Sequence, residues 1–82
     1  MSTPLTIDEF RAHAAAALGI DPAELPVEAD LRTDLGLDSI QMFLLLIAAE
    51  DLGVMFPEAL LPQLRTLADA HHYYVQHLGH RP

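Results

Sequence analysis

Residues Met42 to Ala49 read Met-Phe-Leu-Leu-Leu-Ile-Ala-Ala, eight apolar residues without a break. The run is too short to cross a bilayer, which takes about 20. No stretch of the chain alternates convincingly with period two, so the run belongs to a helix and no sheet is expected. Asp38 offers an N-cap and Gly53 a stop, which predicts a helix over about 39–52. At 100° per residue that helix is apolar on two faces. Met42, Leu45, Leu46, Ala49 and Leu52 form one stripe. Ile40, Leu44 and Ile47 form another on the far side, above Asp51, with Phe43 between the two and nearer Ser39. One stripe is enough for a small core. The second must be covered by a neighbouring segment or left for a partner.

The remaining elements fall around this helix. Thr6-Ile7-Asp8-Glu9 fits a capping box, with Leu5 and Phe10 at the staple positions. Ile7, Phe10, Ala14 and Leu18 then recur at helical spacing up to Gly19, giving a first helix over about 6–18. A long connection follows to Asp38, with room for one helical turn at Asp21-Pro22-Ala23-Glu24. Its apolar residues Leu25, Val27, Leu31, Leu35 and Leu37 should pin it to the core. Pro57 opens a short element over about 57–61, limited by Pro62. Thr66 and Asp69 cap a last helix over about 66–78, whose buried stripe is Leu67, Ala70, Tyr74 and Leu78. The expectation is an all-α fold, a small four-helix bundle of three main helices and a short third one, in a single domain over residues 1–82. A chain of 82 residues buries only roughly 60–65% of its unfolded surface, so a deep active site is not expected.

Charge narrows the function. Twelve acidic residues face four arginines, a net charge of −8, which disfavours nucleic acid and anionic membranes and favours basic partner surfaces. With no cysteine there is neither a disulfide nor a thiolate metal site. No segment resembles a signal peptide, so the chain is read as cytoplasmic. His77 and His80 share a face, but no acidic ligand joins them and no metal site is expected; His71, His72, His77 and His80, on the last helix and tail, are read as surface polar residues. Tyr73 or Tyr74 should pack with its hydroxyl at the rim.

Ser39 stands where the loop becomes the central helix. It lacks the glycines of a G-x-S-x-G elbow and has no histidine nearby in sequence, which argues against a nucleophilic hydrolase. A phosphodiester on Ser39 would be favoured by free N–H groups and the helix dipole, with Gly36 allowing a tight turn before it. On local chemistry alone, a helix cap shared with Asp38 is the favoured role, and the phosphodiester stays open beside it.

Asp34-Leu35-Gly36-Leu37-Asp38-Ser39-Ile40 resembles the D-L-G-x-D-S-L signature of acyl carrier proteins. Leu31 sits where that family often has an aromatic or aliphatic residue. Gly53-Val54 with Pro57-Glu58, and Thr66-Leu67-Ala68-Asp69, resemble its later segments, so the likeness covers about Leu5 to Leu78. The resemblance implies a non-enzymatic carrier whose Ser39 receives 4′-phosphopantetheine from coenzyme A through a phosphopantetheinyl transferase. It further implies acyl thioesters on that arm and, as partners, acyltransferase, ketosynthase or acyl-ligase type enzymes. The closeness of Met1 to the first helix, and of the last helix to Pro82, leads to the expectation of a freestanding carrier, a monomer that forms transient complexes. Asp38, Ile40, Phe43, Leu44, Ile47, Glu50, Asp51 and Glu58 would form the partner surface. The chain departs from the family pattern at Leu44, where Glu is frequent, and at Leu60 and Leu61, in a segment usually acidic. The span from Ser39 to Gly53 is also one residue short. A greasy recognition helix suits a dedicated partner, as in polyketide or other specialised biosynthesis. An aminoacyl or peptidyl carrier is the alternative, although such carriers often read G-G-x-S.

Overall fold

In the computed structural model, which describes residues 4–78, three α-helices surround one apolar core. Helix α1 spans Ile7–Leu18, α2 Ser39–Asp51 and α3 Leu67–His77, with 3₁₀ segments at Pro22–Glu24 and Glu58–Gln63. The only pairing of extended backbone among the described residues is an isolated bridge between Asp30 and Thr66.

Each α-helix begins with a reciprocal capping box. Thr6 Oγ1 accepts from Glu9 N–H while Glu9 Oε1 accepts from Thr6 N–H. Thr66 and Asp69 repeat the arrangement at α3. α1 stops at Gly19, whose φ of 72° lets the Ile20 N–H turn back to the Ala15 carbonyl at 3.0 Å. Asp21 caps the 3₁₀ turn by accepting from Ala23 N–H, with Pro22 in the first position.

Apolar burial does the rest. Leu25, Leu31 and Leu67 are fully enclosed, each contributing about 1.5–3 kcal/mol. They pack with Phe10, Met42, Leu46, Phe56 and Tyr74. Two of these eight lie in the long loop, which is therefore part of the core. Main-chain bonds fix its path: Leu31 N–H donates to Arg65 C=O at 2.7 Å, and Ala68 N–H to Val27 C=O at 2.9 Å.

Two expectations need correction. Pro62 does not end the third element, which runs from Glu58 to Gln63 with Pro62 inside it. The segment is 3₁₀, so its short bonds skip the missing proline donor. Leu60 N–H reaches Pro57 C=O, and Leu64 N–H reaches the carbonyls of Leu60 and Leu61. Of the two tyrosines expected to pack, Tyr74 does so, and its hydroxyl meets partly buried main chain. It accepts the Leu5 N–H at 2.9 Å from a nearly buried ring. His71 is a half-buried strut, not a surface polar group, and His13 on α1 is another: His13 Nε2 lies 3.1 Å from Ala48 C=O, and His71 Nε2 lies 2.9 Å from Leu5 C=O. A carbonyl oxygen only accepts, so each Nε2 carries hydrogen. His80 and Gly79 lie outside the described residues, as does Arg81.

Candidate functional site

The loop that delivers Ser39 is clasped by Asp30. Its Oδ1 accepts the N–H groups of Arg32 and Thr33, each at 2.9 Å, and its Oδ2 lies 3.6 Å from Arg65 Nε. Asp34 Oδ2 in turn accepts the Asp30 N–H at 2.9 Å. The N–H bond from Thr33, then that from Arg32, and lastly the Arg65 charge hold the Asp30 carboxyl below the usual carboxylate range. Gly36 follows with φ of 67°, a left-handed turn that costs a side-chain-bearing residue about 1–2 kcal/mol. Leu37 N–H closes this turn on Leu31 C=O at 2.9 Å.

At the start of α2, Asp38 and Gln41 cap one another. Asp38 Oδ1 accepts Gln41 N–H at 2.8 Å, and Gln41 Oε1 accepts Asp38 N–H at 3.1 Å. Ser39 occupies the first helical position, exposed, and its hydroxyl has no hydrogen-bond partner among the described residues. The capping role open to Ser39 on sequence grounds is thus taken by its neighbours. The hydroxyl is free to react with an incoming group.

Beside Ser39 runs an open groove between the start of α2 and the segment Glu58–Gln63. Arg32, Leu37, Asp38, Ser39, Met42, Leu61 and Pro62 line it. Arg32 leans across it, donating from Nη2 to Leu61 C=O and from Nη1 to Leu64 C=O. Sequence reading missed Arg32 altogether, for no local pattern ties it to residues 61 and 64. Asp30 was missable too, although Asp-x-Arg-Thr has the spacing of a side chain that bonds the backbone two and three residues on.

The two faces of α2 separate as the periodicity predicts. Met42, Leu46, Ala48 and Ala49 are buried, with Leu45 and Leu52 packed against them. Ala48 falls outside the expected inner stripe and is covered on the side where His13 of α1 reaches its carbonyl. Ile40, Phe43 and Ile47 are 73%, 46% and 41% exposed. Leu44 is half-buried but is not among the residues packed on the core, whereas Leu60 and Leu61 are. Glu50 and Asp51 are exposed in the last turn of α2, and Glu58 is exposed at the start of the following 3₁₀ segment. Met55, at 76% exposure, is an apolar surface residue that the helical periodicity does not reach. Among the described residues no cluster of three or more His, Cys, Asp or Glu could hold a metal, and no helix is long and apolar enough to cross a membrane.

The pattern that defines the phosphopantetheine attachment site family matches residues 8–73. An acyl carrier protein of Myxococcus xanthus is 40% identical over 53 residues, 63% of this chain and 67% of its own length. An acyl carrier protein of Micrococcus luteus is likewise 40% identical over 53 residues, 63% of this chain and 65% of its own length. The aligned stretch thus spans about two thirds of each relative.

Proposed function

The chain belongs to the phosphopantetheine attachment site family, and on that premise we propose that Ser39 is the residue to which the arm is joined. As an acyl carrier protein it carries and does not catalyse, and its cofactor is a covalently held 4′-phosphopantetheine. That group supplies a thiol on which an acyl chain rides as a thioester. The observation that supports Ser39 is its exposed hydroxyl at the first position of α2, which bonds nothing among the described residues. In a phosphopantetheinyl transferase this oxygen attacks the pyrophosphate of coenzyme A. A phosphodiester forms, adenosine 3′,5′-bisphosphate leaves, and the serine proton passes to the transferase. Asp38 stays bound to Gln41 and holds the helix start still while this happens.

The partner surface in this reading is the outer face of α2. Ile40, Phe43 and Ile47 supply apolar contact, with Leu44 contributing its exposed part. Asp38, Glu50, Asp51 and Glu58 supply a charged rim. Glu50 and Asp51 stand at the negative end of the α2 dipole, where an acid costs about 0.3–1 kcal/mol. A local cost of this kind supports a role in recognition. The scarcity of charge along the middle of α2 supports a dedicated enzyme of polyketide or related specialised biosynthesis, of the acyltransferase, ketosynthase or acyl-ligase type. The setting is a cytoplasmic one, the chain acting as a single domain and as a monomer in transient complexes.

Incubation with coenzyme A, Mg²⁺ and a promiscuous transferase tests the site. Wild type should gain the mass of one phosphopantetheine and Ser39→Ala none. No gain by wild type, or equal gain by the variant, refutes it. Mass spectrometry of protein isolated from its native host then separates acyl from aminoacyl cargo.

A further inference from the structure

Three arginines lie among the described residues, in a chain of net charge −8. Arg11 pairs with Asp8 at 3.4 Å and Arg65 with Asp30 at 3.6 Å. Arg32 has no carboxylate partner among the described residues. Its guanidinium is held instead by the neutral carbonyls of Leu61 and Leu64, on the wall of the groove that also contains Ser39. Two of its five N–H donors are used there, which fixes the plane of the group and leaves three for another acceptor. Among the described residues the only carboxylate lining the groove, Asp38, is engaged with the Gln41 N–H. A cation oriented by neutral groups, unneutralised in an acidic protein, is set up to receive an anion.

We propose that Arg32 is the built-in counter-ion of the phosphodiester attached at Ser39, holding the root of the arm against the groove between α2 and the Glu58–Gln63 segment. The inference rests on the assignment of Ser39. Arg32 is then a positioning residue: it touches no thioester, but it limits the directions in which the arm leaves the surface. The pair is solvent-exposed, so it is screened at high salt.

The test uses the full chain before and after loading, with loading verified by mass. In ¹⁵N-labelled wild type, the Arg32 Nε–Hε resonance should shift on loading, and the shift should shrink toward zero at about 1 M salt. The ³¹P resonance of the loaded protein should move in Arg32→Gln and return toward its wild-type position in Arg32→Lys. An Arg32 resonance unchanged by loading, with the same ³¹P position in all three proteins, overturns the proposal. Should Arg32→Gln fail to fold, the wild-type Nε–Hε comparison decides alone. Failure of the Ser39 assignment looks different: no mass is gained, and the proposal falls with it before any spectrum is compared.

Discussion

Asp38 and Gln41 close a reciprocal pair of side-chain to main-chain bonds, at 2.8 and 3.1 Å, directly around Ser39. The residues that cap α2 and the residue proposed to carry the arm are therefore different. Removing one should not imitate removing the other.

Asp38→Ala should lower stability by about 1 kcal/mol, since it deletes a helix cap. Ser39→Ala should stay within about 0.5 kcal/mol of wild type, since its hydroxyl bonds nothing among the described residues. Urea denaturation of both, read beside their phosphopantetheine loading, checks the split: Asp38→Ala keeps the attachment oxygen and Ser39→Ala loses it.

Neighbouring residues on α2 should behave oppositely. Leu46 is buried and Ile47 is 41% exposed. Leu46→Ala should cost about 2–5 kcal/mol, and Ile47→Glu about 0.5 kcal/mol or less. Leu44→Glu should resemble Ile47→Glu in folding and weaken partner binding. A multi-kcal loss for Leu44→Glu in a denaturation curve would place Leu44 in the core instead.

Asp51→Lys should raise stability by about 0.3–1 kcal/mol, because a cation replaces an anion at the carbonyl end of α2. The same variant should bind a partner enzyme more weakly. Thermal melting and a binding isotherm with the cognate enzyme measure the two effects. A variant that gains stability and keeps its affinity would remove Asp51 from the recognition surface.

The Asp30 carboxyl titrates below its ordinary range in the folded chain. A depressed folded-state value means the ionised group stabilises the fold at neutral pH. That contribution is fully present above about pH 4 and drains away as pH falls through the lower folded value. Asp30→Asn should therefore be less stable than wild type at pH 7, and the gap should narrow in acid. Denaturation midpoints between pH 7 and pH 2.5 check the direction.

Tyr74→Phe should cost about 1 kcal/mol, by leaving the Leu5 N–H without its acceptor. Hydrogen exchange at the Leu5 amide should accelerate in the variant.

Caps and periodicity were readable because they are written in neighbouring residues. Thr6 with Glu9, Asp38 and Thr66 with Asp69 each need only a three-residue spacing, and each starts a helix as expected. The inner stripe of α2 was readable from a 100° rotation. Ala48 escaped it because α1 covers more of the helix than one stripe. What was not readable joins distant positions. Tyr74 grips Leu5 across 69 residues, Arg32 meets Leu61 across 29, and His13 meets Ala48 across 35. Hydroxyl, guanidinium and imidazole groups are all at home on a surface, so composition gives no sign that these three reach across to distant main chain. The 3₁₀ character of Glu58–Gln63 was hidden for another reason. Pro62 forbids a long α-helix but leaves a tighter one open.

The bonds from Leu31 to Arg65 and from Ala68 to Val27 carry a consequence for the order of assembly. The loop that presents Ser39 is tied down by residues that leave the ribosome about 30 positions later than Ser39 itself. A growing chain displays the whole attachment motif well before it can hold that motif in place. Only when the first turn of α3 arrives are both ties available. The setting of Ser39 is thus finished only after the first turn of α3 has formed, and an enzyme that reads shape as well as sequence would recognise it only from then on.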